Sequence, residues 1–280
     1  MRKLLSQLKD ITEFTCAAFY TLFIKPFDRK PRRVVLYYHG VKNTDAKGFR
    51  KQMAYLTKNC SVVKPSQIKS IHVDGAKTLA AITFDDAFVS VIENAVPILK
   101  EYALSAGIFV PVGNLGQMPH WEMPDDCPDR NEMVMNQEQI VELDNDGFEI
   151  FSHTFSHPVL TKIPNFMLEA ELINSKRILE ALVSHQVLAI SYPHGAYDRR
   201  VCHAAARAGY EMGFTIKPSL IDSRTDHLRI GRVRVSPKES MLKFRLQVMG
   251  VYQVLKYLRL IKVSLRNCFT RTELKNMASS

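Results

Sequence analysis

Gly147 to Pro158 read GFEIFSHTFSHP. The opening half, with Phe148, Ile150 and Phe151, has the apolar character of a buried strand over Phe148 to Ser152. The closing half places His153 and His157 four residues apart, each after a serine. On a helical turn such a pair points the same way, so both imidazoles can reach one metal ion. Two hydrogen-bonded loop histidines would leave the same trace, and HxxxH alone does not separate the readings.

Outward from this stretch, short β-rich runs alternate with longer helical ones. Strands are expected at Val34 to His39, Leu79 to Phe84, Ala106 to Val110, Phe148 to Ser152, Leu188 to Tyr192, Met212 to Ile216 and Leu228 to Val235. Helical periodicity falls at Phe49 to Asn59, Val89 to Tyr102, Asn136 to Asp146, Asn165 to Ser184 and Arg199 to Ala208. Such βα alternation predicts a mostly parallel sheet covered by helices. An open doubly wound sheet fits too, but an α/β fold with an irregular (β/α) barrel of about seven strands is preferred, because polar clusters follow several apolar runs. His39 closes VVLYY, Asp85 and Asp86 follow AAITF, His153 follows FEIFS, and Pro193 to Gly195 follow LAISY. In such barrels chemistry sits at the C-terminal ends of the strands. One long irregular stretch, Pro111 to Met133, interrupts the alternation and contains the sole tryptophan, Trp121. A loop of that length is usually a lid, a binding loop or a disordered insert, and its Trp can stack on a sugar or pin the loop to the core.

The 280 residues, 46% of them hydrophobic and 24% charged, suit one catalytic-sized globular domain with extensions. Five dispersed cysteines with no CxxC pair argue against a disulfide framework or a thiolate zinc cluster and fit a reducing compartment. The N-terminal apolar run from Ile11 to Ile24 is interrupted by Glu13 and is short for a bilayer span, so neither a signal peptide nor a membrane-spanning helix is expected. A net charge of +10 gathers towards the ends, where Lys243, Arg245, Lys256, Arg259, Lys262 and Arg266 interleave with apolar residues. The ends read either as helices packed on the domain or as peripheral contacts with an anionic membrane surface. No recognition module accompanies the basic residues, so no nucleic acid is expected. The expected organisation is an extension over 1–33, a catalytic domain over 34–238 and a basic amphipathic helical extension over 239–280. The expected location is the cytoplasm, with peripheral contact at the inner face of the membrane.

ITFDD adds a second chemical cluster. Consecutive carboxylates at a strand end diverge, so one can bind a metal while the other handles a proton; a plain helix cap is the other reading. Two histidines and one aspartate make a three-ligand site with room for water.

Together, TFDD at Thr83 to Asp86, the strand leading to HTFSHP at His153 to Pro158, and SYPHGAY resemble the motifs of the polysaccharide deacetylase family, the carbohydrate esterases with the NodB homology domain. The resemblance covers roughly Val34 to Val235. It implies a general base at Asp85 and one divalent metal ion, commonly zinc, on Asp86, His153 and His157. It also implies that the backbone N–H of His194 meets the oxyanion. Separately from the resemblance, Tyr192 and Trp121 are the expected substrate contacts. Two features depart from the family pattern. Ser191 stands where an arginine usually tunes the base, and Arg232 in LRIGRVRV is the candidate substitute, although an exposed strand arginine is the competing reading. The usual C-terminal histidine motif is missing, and VVLYYHGV looks like its circularly permuted version, with His39 as the acid and Gly40 in place of the motif's aspartate.

The implied activity is metal-dependent removal of N-acetyl, or another short N-acyl group, from the amino sugars of a polysaccharide or lipid-linked glycan. Three alternatives remain at this stage: a deformylase or other C–N hydrolase, an inactive glycan-binding homologue, and, last, a two-histidine, one-carboxylate iron oxygenase.

Overall fold

A strand in a closed, helix-covered sheet is buried on both faces, so its residues must split into two interleaved apolar sets. The computed structural model, which describes residues 32–71, 77–125, 127 and 129–251, shows that division. Its strands are β1 (Arg33–Tyr38), β2 (Cys60–Val62), β3 (Thr78–Phe84), β4 (Gly107–Val110), β5 (Glu149–Ser152), β6 (Ala189–Ser191), β7 (Met212–Thr215), β8 (Ile230–Gly231) and β9 (Val233–Arg234). Every pairing between them is parallel. The order is β8-β7-β6-β5-β4-β3-β1-β9, with β2 beside β3. This is a nearly closed parallel barrel of eight strands.

Closure depends on the last strand segment. Residues 228–235 read in sequence as one strand, but β8 pairs with β7 while β9 pairs with β1, and Arg232 lies between them. One short segment thus bridges the first and last large strands. The sequence expectation also missed β2, whose three residues carry too little pattern to stand out.

Val35, Leu79, Ala81, Phe109, Phe151, Ala189, Met212, Phe214 and Ile230 form one buried cluster, the barrel interior. The alternate residues, including Leu36, Tyr38, Ile82, Phe84, Ile108, Ile150 and Ile190, belong to a second cluster under the helices. Those helices are α1 (Ala46–Asn59), α2 (Val96–Glu101), α3 (Gln137–Asn145), α4 (Asn165–Val183), α5 (Arg199–Arg207) and α6 (Met241–Val248). The helix expected from Val89 starts there and passes through a π turn over Val91–Ala95 before it continues as α2. Pro97 has no N–H to give back to that turn.

α6 opens the expected C-terminal extension, and it packs on the barrel. Phe244 and Val248 are buried in the outer cluster, and the Phe244 ring meets Tyr55 edge-on at 6.0 Å. The expected extension over 1–33 lies outside the described residues up to position 31, as does the remainder of the C-terminal one from position 252. Among the described residues, no helix is long and apolar enough to cross a membrane.

One glycine tests how tightly the outer layer is packed. A Cβ on Gly213 would stand 2.3 Å from Tyr192 Oη and 2.6 Å from the Leu228 carbonyl oxygen. Gly213→Ala is expected to destabilise the fold by about 1–3 kcal/mol, read as a lower midpoint in urea; an unchanged midpoint would show that the layer yields.

Candidate active site

The interior face of each strand is apolar until its C-terminal end, where the same two-residue period delivers polar groups. Ala81 is followed by Thr83 and Asp85, Phe151 by His153, Ala189 by Ser191, Ile230 by Arg232 and Tyr37 by His39. This alternation alone would aim Asp86 and His157 elsewhere. Both adopt left-handed backbone, with φ of 68° at Asp86 and 61° at His157, as do Thr154 (69°) and His194 (56°). Non-glycine residues in that region cost on the order of 1–3 kcal/mol each, and here the turns bring the off-period residues to one mouth.

Asp86, His153 and His157 form a compact buried triad whose ligand atoms all lie within 4.8 Å of one another. Asp86 Oδ1 stands 3.4 Å from Nε2 of each histidine. Two ligands about 2.0–2.1 Å from a tetrahedral ion would stand about 3.3 Å apart. His153 Nδ1 is 2.8 Å from the Ser191 carbonyl oxygen, which can only accept; a proton therefore sits on Nδ1, and Nε2 is the nitrogen left facing the triad. Asp86 Oδ1 is buried without a hydrogen-bond partner among the described residues, as is His157 Nδ1. Burial pushes His157 down to about 4, so its ring is neutral at physiological pH. Burial would lower His153 too, but the facing Asp86 and Asp85 outweigh it and raise its pKa. An orphaned carboxylate oxygen facing two imidazole nitrogens suits a divalent cation such as zinc.

Asp85 faces a different partner. Burial opposes its charge, but Arg232 and then His153 bring its pKa below the usual carboxylate value. Arg232 Nη1 and Nη2 donate to Asp85 Oδ1 and Oδ2, both at 2.7 Å. The same guanidinium donates to Ser191 Oγ at 2.7 Å, Thr83 Oγ1 at 3.2 Å and the Thr215 carbonyl at 3.3 Å. It is 0% exposed and lies over the Tyr37 and Phe109 rings. The reading of Arg232 as an exposed strand residue is excluded. Its link to Ser191 shows why a serine suits that position: a longer side chain there would meet the guanidinium.

His39 lies at the opening, with Nε2 3.9 Å from Asp86 Oδ2 and its side chain 31% exposed. Trp121 stacks on His157 at 4.5 Å between ring centroids, and His194 meets the same ring edge-on at 4.7 Å. Trp121 and His194 also line an open cleft of about 960 Å³ together with His120, Glu122, Arg130 and Val159. Tyr192 corrects a sequence expectation. It is 1% exposed and donates its hydroxyl to the Leu228 carbonyl, so its ring belongs to the outer layer and is closed to substrate. One step out of period from Ser191, it points outwards.

Known proteins resemble this chain in sequence and in fold. The profile of the polysaccharide deacetylase family covers residues 72–213. The chain belongs to the polysaccharide deacetylase family. A curated Bacillus subtilis (strain 168) relative, YxkH, bears a polysaccharide deacetylase name; it is 28% identical over 218 residues, which are 74% of this chain and 73% of YxkH. Among solved structures, the Streptococcus pyogenes deacetylase PplD shares the fold with a TM-score of 0.65 at 24% identity, over 79% of this chain and 99% of its own. IcaB from Ammonifex degensii does so with a TM-score of 0.65 at 23% identity, over 79% and 98%. This deacetylase family member is thus expected to be a hydrolase of carbohydrate amides.

Sequence reasoning missed the groups that hold the site. Thr83 and Ser191 support Arg232, the Ser191 carbonyl orients His153, and Ser152 Oγ accepts from the Thr154 N–H at 3.1 Å. Thr83 and Ser191 fall on the interior period and were legible as inward polar residues in apolar strands.

Removing one member of a buried ion pair strands the other. Arg232→Met should cost about 3–5 kcal/mol in urea unfolding, and Arg232→Lys should recover little because lysine lacks the forked donors. In a double-mutant cycle, adding Asp85→Asn to Arg232→Met should cost less than the sum of the single losses. Strict additivity would deny the coupling.

Proposed function

We propose that the protein is a metal-dependent N-deacylase that removes acetyl, or a similarly short acyl group, from an amino sugar. One observation carries this reading: the Asp86, His153, His157 triad opens beside a separately held carboxylate, Asp85, at the same barrel mouth. We assign one divalent ion, zinc by its preference for nitrogen-rich four-coordinate sites, to the triad. When bound, it would polarise the acyl carbonyl and acidify a water.

The chain's own groups divide the remaining work. Asp85, fixed by Arg232, takes the proton from the attacking water. His39, at the open side of Asp86, gives a proton to the departing sugar amine. The His194 N–H is assigned to the developing oxyanion; the neighbouring amides of Gly195 and Ala196 donate to Tyr192 O and Pro193 O within the turn. Trp121 offers the cleft an aromatic wall for a sugar ring. PplD, which shares the fold, is described in complex with acetate, the carboxylate this reaction would release.

Asp85→Asn is expected to lower kcat by about 10²–10⁴-fold on N-acetylglucosamine oligomers while bound metal stays stoichiometric. His153→Ala should lose the metal. Wild-type rates in Asp85→Asn would sink the assignment, and formate in place of acetate would favour the deformylase reading. Retained metal without hydrolysis of any N-acyl sugar would mark a glycan-binding homologue.

A lipid-linked substrate at the inner membrane face is a finer reading. It is favoured by exposed Met118, Met133, Phe155, Phe166, Met167 and Ile216, all in loops after barrel strands or in the first turn of α4 and therefore at the catalytic end. Co-sedimentation with anionic phospholipid vesicles should fall when Phe166 and Met167 are changed to Ser; equal sedimentation would remove the support.

A further inference from the structure

His157 is the ligand furthest from its strand, and its placement depends on the turn Thr154–His157 after β5. That turn is unfavourable in itself, because Thr154 and His157 both have left-handed backbone, with φ of 69° and 61°. A neighbouring helix opposes this strain. Glu171 on α4 accepts from the Phe155 N–H at 2.9 Å and the Ser156 N–H at 2.8 Å through Oε2, and from the Ser156 hydroxyl at 2.5 Å through Oε1. One helical turn on, Ser175 Oγ bonds Ser152 Oγ at 2.9 Å, and Ser152 Oγ accepts from the Thr154 N–H. Residues four apart on a helix share a face, so α4 holds the turn at its middle directly and at its first residue through Ser152. The His157 N–H closes the turn by donating to Thr154 Oγ1 at 3.1 Å.

We propose that Glu171 is a positioning residue for the metal centre, setting the turn so that His157 Nε2 meets Asp86 Oδ1 and His153 Nε2. Its bonds go to Phe155 and Ser156 and to no atom of the triad, so it acts through two backbone amides and a hydroxyl. A carboxylate suits the task because it accepts all three bonds at once and charge strengthens each. Glutamine keeps one acceptor oxygen and turns an amide towards the third donor.

The inference rests on the metal reading of the triad, so its test separates the two. Metal-free protein is titrated with Zn²⁺ against a chromophoric chelator and with Co²⁺ by its ligand-field absorption, and amide exchange is followed at Phe155 and Ser156. Glu171→Gln and Glu171→Ala are expected to weaken Zn²⁺ binding on the order of tenfold or more, alter the Co²⁺ band and speed exchange at both amides, with the thermal midpoint near that of the parent. Glu171→Asp should recover part of the affinity. Zn²⁺ affinity within twofold of the parent in Glu171→Gln and Glu171→Ala would overturn the proposal. If the metal reading itself is wrong, the parent binds neither ion, and the positioning role for a metal centre falls with it.

Discussion

The buried pair of Arg232 and Asp85 is the constraint around which the barrel mouth is organised. Taking a guanidinium and a carboxylate out of water costs several kcal/mol per ion, and only good geometry with every remaining donor satisfied offsets it. Arg232 meets that condition: its fork is spent on Asp85, its other donors reach Thr83, Ser191 and Thr215, and its flat faces lie on aromatic rings. Those partners come from β3, β6 and β7, while Arg232 itself sits at the join of β8 and β9. The residue that closes the sheet therefore also fixes the candidate base. Any relaxation of the seam would reach Asp85 directly.

Much of the scaffold was legible because it obeys short-range rules. A parallel barrel strand buries both faces, and the apolar runs at Val34 to Tyr38 and Leu79 to Phe84 could hardly do anything else. The two-residue period also explains Asp85, His153, Ser191 and Arg232 as inward residues. Tyr192 shows the cost of ignoring that period: as the neighbour of inward Ser191, it faces the helices. What stayed hidden depends on distant partners. Nothing near Trp121 announces that its ring will lie on His157, and Glu171 reads locally as one more acidic residue on a helix. The split of the last strand follows from pairing with two different neighbours, which a linear pattern does not record.

Left-handed residues cluster where the chemistry is proposed: Asp86 and Ala87 after β3, Thr154 and His157 after β5, and His194 after β6. Each changes the direction of the chain within a residue or two, so the strands behind them keep regular pairing. The strain is confined to positions that adjacent hydrogen bonds can hold, such as the Thr154 hydroxyl on the His157 N–H. A wall with regular geometry can in this way carry an irregular set of side chains.

The ring also bears on His39. Because β9 pairs with β1 through Leu36–Val233 and Tyr37–Arg234, the first and last strands of the barrel stand side by side. A residue just past the end of either one arrives at the same rim. In a circle, early and late along the chain lose their spatial meaning, so a group can move between the two ends of a sequence while staying put in space. Motif order is then a record of where the circle was cut, and a histidine at position 39 can serve a mouth whose other parts appear from position 83 onwards.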